Sequence, residues 1–184
     1  GAPQINTFIT FNKDQALQRI KGMDYPVVLK DAHSFGGNGV FKVKDQREME
    51  DIVKKIFSSS GYKGIKDHVY LQRFLPDLDR DLRVITIGDK AVCAYWRIAA
   101  GSHWKNNIEQ GASVAGENIP PKALELCVDI SRRMGYHWMS YDCFLSRGKI
   151  YINEFSCNFG VKGATLQGRD IREEQVAYIH NLLS

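Results

Sequence analysis

Two apolar runs near the C-terminus, WMSYDCFL (138–145) and KIYINEF (149–155), constrain this chain more than any other stretch. Short runs rich in aromatic and β-branched residues, separated by Ser146-Arg147-Gly148, read as an antiparallel hairpin. Each run carries one carboxylate, Asp142 in the first and Glu154 in the second. Ionised groups are rare in such strands unless they are paired or bound to a metal. Register decides how the two relate. A two-residue turn at Arg147-Gly148 pairs 142 with 153 and sends the carboxylates to opposite faces. A three-residue loop, or one bulge, pairs 142 with 154 and sets them side by side. Side by side they call for a cation, and hard oxygen ligands indicate Mg²⁺, with Mn²⁺ as the alternative. On opposite faces, one of them points to solvent.

The same signature recurs upstream. INTFITF (5–11) alternates like a strand, YPVVLK (25–30) reads as a buried strand entered at Pro26, and GVFKV (39–43) and HVYLQRF (68–74) follow. DLRVITI (81–87) and AVCAYWRI (91–98) are joined through Gly88-Asp89-Lys90, a hairpin signal. Between these lie helical patterns. Asn12 caps a short helix over Lys13–Lys21, before Gly22. Asp45, with Glu48 three residues on, opens a helix carrying Met49, Ile52, Val53 and Ile56 at helical spacing. Pro120-Pro121 starts another, running to about Met134 before Gly135, and a last one covers about Arg172–Leu183. The stretches 100–118 and 158–168 show no period and read as loops. Antiparallel hairpins interspersed with helices define an α+β class.

Composition excludes several functions. No apolar stretch approaches the ~20 residues of a membrane helix. The net charge of +4 suits an anionic ligand, but no basic run or RNA-binding aromatic signature accompanies it, so no nucleic-acid partner is expected. Cys93, Cys127, Cys143 and Cys157 form no C-x-x-C pair, which argues against a zinc finger and for reduced thiols in a cytoplasmic protein.

The stretch KDAHSFGGNGV (30–40) places a lysine and a glycine-rich loop between two strands. It is either a hairpin turn that needs positive φ, or a flap whose backbone N–H groups approach phosphates closely. It is no Walker loop, because no G-K-[ST] ends it and a strand follows. A strand–glycine loop–strand over nucleotide phosphates is the arrangement of protein kinases, and Lys30 at its entrance can reach α- and β-phosphate oxygens. Asp81 and Arg83, two apart, share a strand face; Arg97 ends the following strand; Lys105, Asn106 and Asn107 lie in the long loop. Together these groups suit the neutralisation of a polyphosphate and a developing acyl phosphate.

In this order the segments VVLKDAHSFGGNGV, LQRFLPDLDRDLRVITIGDKAVCAYWR, KNNIEQGA, YDCF and NEFSCNFG resemble the ATP-grasp superfamily, most closely its RimK-like branch of ribosomal-protein glutamate ligases. The resemblance covers nearly the whole chain. It implies two α+β subdomains with antiparallel sheets clasping a nucleotide, the smaller over 1–75 with the flap and the larger over 76–184 with the metal site. It implies ATP and Mg²⁺ as cofactors. It implies an ATP-dependent carboxylate–amine ligase that acts through an acyl phosphate on an amino acid or peptide. By position, Lys30 resembles the phosphate-binding lysine, and Gly36, Gly37 and Gly39 the flap. Arg73, Phe74 and Leu75 match the hinge whose backbone holds adenine, and Asp81 an ATP contact, to ribose. Lys105, Asn106 and Asn107 match a segment near the phosphates and metal. Asp142, Glu154 and Asn158 match metal ligands, and Arg83 and Arg97 the catalytic groups that stabilise the phosphate and the intermediate.

The chain departs from the family's pattern at two places. Arg73 rather than Glu follows Gln72, and the last metal motif reads Glu154-Phe155-Ser156, with Asn158 two residues further on. Family members also carry an N-terminal substrate domain and another phosphate-binding lysine before the region that begins here. The expectation is therefore nucleotide binding with little turnover by these residues alone. A non-catalytic nucleotide-binding module and a small-molecule kinase on the same fold are the alternative readings.

Overall fold

A computed structural model of the chain describes residues 3–34, 38–99 and 112–184. Two compact units are present, Ile5–Pro76 and Asp77–Ser184, with Gly1–Gln4 grouped with the latter.

The unit Ile5–Pro76 contains β1 (Thr7–Thr10), α1 (Lys13–Arg19), β2 (Val27–Lys30), β3 (Val40–Val43), α2 (Gln46–Ile56) and β4 (Val69–Arg73). Its four strands run antiparallel in the order β1-β4-β2-β3. Both helices begin where the sequence predicts. Asn12 accepts the Gln15 N–H at 3.0 Å, and Asp45 accepts the Glu48 N–H at 2.9 Å. The Glu48 carboxylate reaches back to the Lys44 N–H at 2.9 Å, closing a capping box displaced by one residue. The buried α2 residues Met49, Ile52, Val53 and Ile56 share a core with Val27, Leu29, Val69 and Leu71 of the sheet.

The glycine-rich segment is the connection of the β2–β3 hairpin. Lys30 pairs with Val40, and the Asp31 N–H donates to the Gly39 carbonyl at 2.7 Å. Gly39 does not have the positive φ expected of a turn glycine. Its constraint is space: a Cβ there would lie 2.6 Å from the Asp31 Cβ and 2.7 Å from the Ser34 hydroxyl. Gly36 and Gly37 lie outside the described residues.

The second unit contains β5 (Arg80–Ile87), β6 (Lys90–Ile98), β7 (Ser113–Ala115), α3 (Pro121–Met134), β8 (Trp138–Ser146), β9 (Lys149–Ser156), α4 (Lys162–Leu166) and α5 (Ile171–Leu183). Its antiparallel sheet has the order β7-β6-β5-β8-β9. Gln4 makes a parallel bridge to Ile152 of β9. Pro121 sits in the first turn of α3, and Gly135 ends it in the left-handed region at φ 69°. One sheet face carries Leu82, Val84, Tyr141, Cys143 and Ile152, which form a core with Ala123 and Cys127 of α3. The other face carries Ile85, Ile87, Cys93 and Tyr95, which pack with Ala164 of α4 and Ile171 of α5.

Two elements were not legible as such. β7 lies within the stretch read as a loop, because three residues at a sheet edge are too few to show alternation. α4, five residues long, interrupts the 158–168 loop; its sequence KGATL has no amphipathic period. Among the described residues, no helix is long and apolar enough to cross a membrane.

Gly163 of α4 sits directly over the Tyr95 ring, and a Cβ there would reach to 2.5 Å of the Tyr95 hydroxyl oxygen. Tyr95 is fully buried and has no room to retreat. Gly163→Ala should therefore destabilise the protein by about 1–3 kcal/mol, read as a lower urea midpoint. An unchanged midpoint would show that α4 does not bear on the ring.

Candidate active site

The face opposite α3 is apolar at one end and charged at the other. Register sets the charged end. Asp81 of β5 pairs with Arg97 of β6, Arg83 pairs with Tyr95 on one side and Asp142 of β8 on the other, and Asp142 pairs with Glu154 of β9. Directly opposed residues of an antiparallel pair share a face, so these side chains form one row across four strands.

A bulge in each hairpin produces this alignment. Both turns have two residues, since Ile87 pairs with Lys90 and Ser146 with Lys149. Arg147 and Gly148 have φ of 49° and 72°, the conformation a tight hairpin turn of this kind requires. Between Asp142 and Cys143 the register shifts, Asn153 is the extra residue, and Glu154 moves opposite Asp142. Of the two registers open to the sequence, the bulged one is therefore present. β5–β6 does the same between Ile85 and Thr86, with Val92 extra, which moves Arg97 opposite Asp81.

Arg97 is the centre of the row. Its Nε and one terminal nitrogen donate to the two Asp81 oxygens at 2.7 and 2.6 Å, and it also reaches Asp142 at 2.8 Å. The Arg83 Nε donates to one Asp142 oxygen, and an Arg83 terminal nitrogen lies 3.2 Å from the other. Asp81, Arg97 and Asp142 are all buried. Burial pushes the Asp142 carboxyl up, but Arg97 and Arg83 outweigh it and hold the group below the usual carboxylate range. Asp81, deeply buried and opposed by only one close guanidinium, is pushed up to about 6, with Asp142 adding to the effect. Burial also works against the Arg97 guanidinium, and its two carboxylate partners more than offset it. The sequence suggested Asp81, Arg83, Arg97 and Asp142 as separate contacts; it did not reveal that they bind one another. The Asp81–Arg97 pairing was hidden because an unbulged two-residue hairpin sets Asp81 opposite Trp96. Tyr95, opposite Arg83 in the register, is a fully buried core residue, as it reads in the sequence.

Asp142 and Glu154 are the two carboxylates of the expected metal set, and both Asp142 oxygens are already engaged by Arg83 and Arg97. Asp142 and Glu154 offer carboxylate oxygens from opposed positions, and the arginines keep Asp142 ionised. Glu154 is exposed, whereas Asp142 is buried. Ser156 donates its hydroxyl to the Asn158 carbonyl at 2.7 Å and accepts the Asn158 N–H at 3.1 Å. Asn158 is exposed in the loop that follows.

In the unit Ile5–Pro76, Lys30 closes β2 with its ammonium 5.7 Å from the centre of the Tyr70 ring. Arg73 ends β4, and its N–H donates to the Asn6 carbonyl at 2.9 Å. Phe74 lies under the Lys42 ammonium at 4.0 Å, and Leu75 immediately precedes the unit's last residue, Pro76. Lys105, Asn106 and Asn107 lie outside the described residues.

Residues 2–179 match the RimK-like ATP-grasp domain, and the chain belongs to that family. Its fold is the ATP-grasp fold: an ATP-grasp RimK domain protein from Sphaerobacter thermophilus superposes with a TM-score of 0.70 at 18% identity, covering 96% of this chain and 61% of that one. The ATP-grasp ligase PsnB, solved with a precursor peptide and AMPPNP, gives 0.69 at 16% identity, covering 97% and 54%. In sequence, the chain is 28% identical to the alpha-aminoadipate–LysW ligase of Saccharolobus solfataricus over 82% of this chain and 54% of the relative. It is 27% identical to the glutamate–LysW ligase of Sulfolobus acidocaldarius over 98% and 64%. The chain thus spans between about half and two-thirds of the length of these relatives.

Removing Arg97 leaves two neighbouring buried carboxylates without their main partner. Arg97→Met should cost about 3–5 kcal/mol in chemical denaturation, and adding Asp81→Asn should restore part of it. Full additivity of the two substitutions would show that the pair is not coupled. Acid provides a second check. Asp142 titrates lower in the folded chain than in the unfolded one, so its contribution is complete above the unfolded value near ~3.9 and is withdrawn as the pH falls. Stability of the unsubstituted protein should therefore fall more steeply below about pH 4 than that of Asp142→Asn. Equal slopes would remove Asp142 from the acid response.

Proposed function

We propose that this protein is an ATP-dependent carboxylate–amine ligase acting on an amino acid or peptide through an acyl phosphate. The observation that carries the reading is the buried Asp81–Arg97–Asp142–Arg83 network, with Glu154 opposite Asp142, in a chain of the RimK-like ATP-grasp family. The ligase names and the peptide complex of its relatives support the same substrate class.

In this reading Lys30 and the glycines at 36, 37 and 39 hold the nucleotide phosphates, and the backbone at Arg73, Phe74 and Leu75 holds adenine. The resemblance assigns Lys105, Asn106 and Asn107 to contacts with the phosphates. Arg83 and Arg97 face the transferred phosphoryl group and the acyl phosphate, where fixed cations are worth most. Asp81, with both oxygens on Arg97, orients that guanidinium. Asp142, Glu154 and Asn158 would hold magnesium, which would supply neutralisation of phosphate charge. The acid's carboxylate oxygen attacks the γ-phosphorus and ADP leaves; the amine nitrogen then attacks the acyl carbon, loses a proton and expels phosphate.

Ser156 favours a second reading, a nucleotide-binding module without turnover. Its hydroxyl is engaged with the Asn158 backbone, and a hydroxyl is a weaker Mg²⁺ ligand than an amide oxygen.

ADP release measured over amino acids, acidic peptides and amines separates the readings. A ligase releases ADP only when both an acid and an amine are present, and an alcohol alone sufficing indicates a kinase. Nucleotide binding without release under any condition supports the module and overturns the ligase. Lys30→Ala should weaken ATP binding by about 1.5–3 kcal/mol, roughly 10- to 150-fold, by calorimetry. Unchanged affinity would exclude Lys30 from the phosphate contacts.

A further inference from the structure

Three potential metal ligands meet where β2 enters the glycine-rich segment, in the unit Ile5–Pro76. The Asp31 Oδ1 lies 3.6 Å from the His33 Nδ1 and 3.8 Å from the His68 Nε2, and all three ligand atoms lie within 4.8 Å of one another. We propose that Asp31, His33 and His68 form a binding site for a divalent ion of the zinc class, separate from the magnesium ligands. The proposal does not depend on the ligase reading.

The local structure prepares each ligand. His68 is 3% exposed, immediately before β4, so its ring is held by packing. Its Nδ1 lies 2.9 Å from the Lys66 carbonyl, which can only accept, so Nδ1 carries the proton and the lone pair falls on Nε2. A carbonyl behind the distal ring nitrogen is the support that metal-bound histidines ordinarily have. The Ala32 N–H approaches Nε2 at 3.3 Å, a long bond that an ion would displace. Asp31 is held by the turn it begins: its N–H donates to Gly39, and its Oδ1 accepts the His33 N–H at 3.0 Å. That turn swings the His33 ring to 5.4 Å from the His68 ring, centre to centre.

The spacing suits a small ion after a modest contraction. Ligands about 2.1 Å from a tetrahedral ion are about 3.4 Å from one another. Only His33 must move appreciably, and its side chain is 83% exposed. Two imidazoles and one carboxylate suit zinc and its neighbours in the transition series, whereas Mg²⁺ takes oxygen ligands. Two histidines and a carboxylate also leave a fourth position for water. A bound ion would join the entrance of the glycine-rich connection to β4, one residue after Lys30.

The test is calorimetric titration of chelator-treated protein with Zn²⁺ in excess Mg²⁺, with the Co²⁺ absorption spectrum as a second readout. One Zn²⁺ per chain is expected. His33→Ala should weaken it by ~100-fold or more, and Asp31→Asn, which keeps the turn's acceptor, by ~10- to 100-fold. His180→Ala, on α5, should bind as the unsubstituted protein does. His68→Ala removes a buried ring and is used only if it folds; the exposed His33 makes the test independent of that. No stoichiometric Zn²⁺ binding, or His33→Ala binding within about threefold of the unsubstituted protein, would overturn the proposal.

Discussion

The Arg97 guanidinium between Asp81 and Asp142 is the interaction on which the second unit depends. A sheet face must either be covered by apolar side chains or satisfy what it buries. Here one end is covered by α4 and α5, and the other is filled by charge that neutralises itself. Two carboxylates and two guanidiniums balance in number, yet the distribution is uneven. Arg97 bonds both acids, whereas among the described residues Arg83 bonds Asp142 but not Asp81. Asp142 is consequently well compensated and Asp81 is not, which is why the two carboxyls shift in opposite directions although burial pushes both up. In the proposed ligase, a phosphate approaching this face would meet guanidiniums already fixed in direction, with little side-chain entropy left to lose.

Such a network is not built for stability alone, since a buried ion pair is often no better than an apolar replacement of similar volume. The alternative at this position would be further Leu and Ile residues like those that meet α3 on the opposite face. What the charged version provides is electrostatic preorganisation in a place where water is scarce. It comes with a strict requirement on geometry, because every member depends on the position of another.

Much of the fold was legible. Caps and breakers at Asn12, Asp45, Pro121 and Gly135 mark helix ends because each acts through its own backbone or side chain within a few residues. Strands such as β5 and β6 are visible because their apolar content is high throughout. β7 and α4 were not, since each takes its structure from what it packs against: β6 for the one, the Tyr95 ring for the other. The site was legible in composition and not in connectivity. Residue types and order pointed to Arg83, Arg97, Asp142 and Glu154, but which of them touch depends on registers that side-chain identity does not encode. Gly39 shows the same limit: its glycine was visible, and its reason, the crowding of Asp31 and Ser34, was not.

The two bulges give the charged row an unusual kind of memory. Asn153 and Val92 are the extra residues of the two bulges. The arrangement therefore depends on the register each bulge sets and not on residue identity alone. Ironing out either bulge, so that Asn153 stood opposite Asp142 or Trp96 opposite Asp81, would carry Glu154, or Arg97, through the sheet to its other face while leaving every charged residue in the gene. A census of matching residues would still find the set complete in such a chain, although its members could no longer meet.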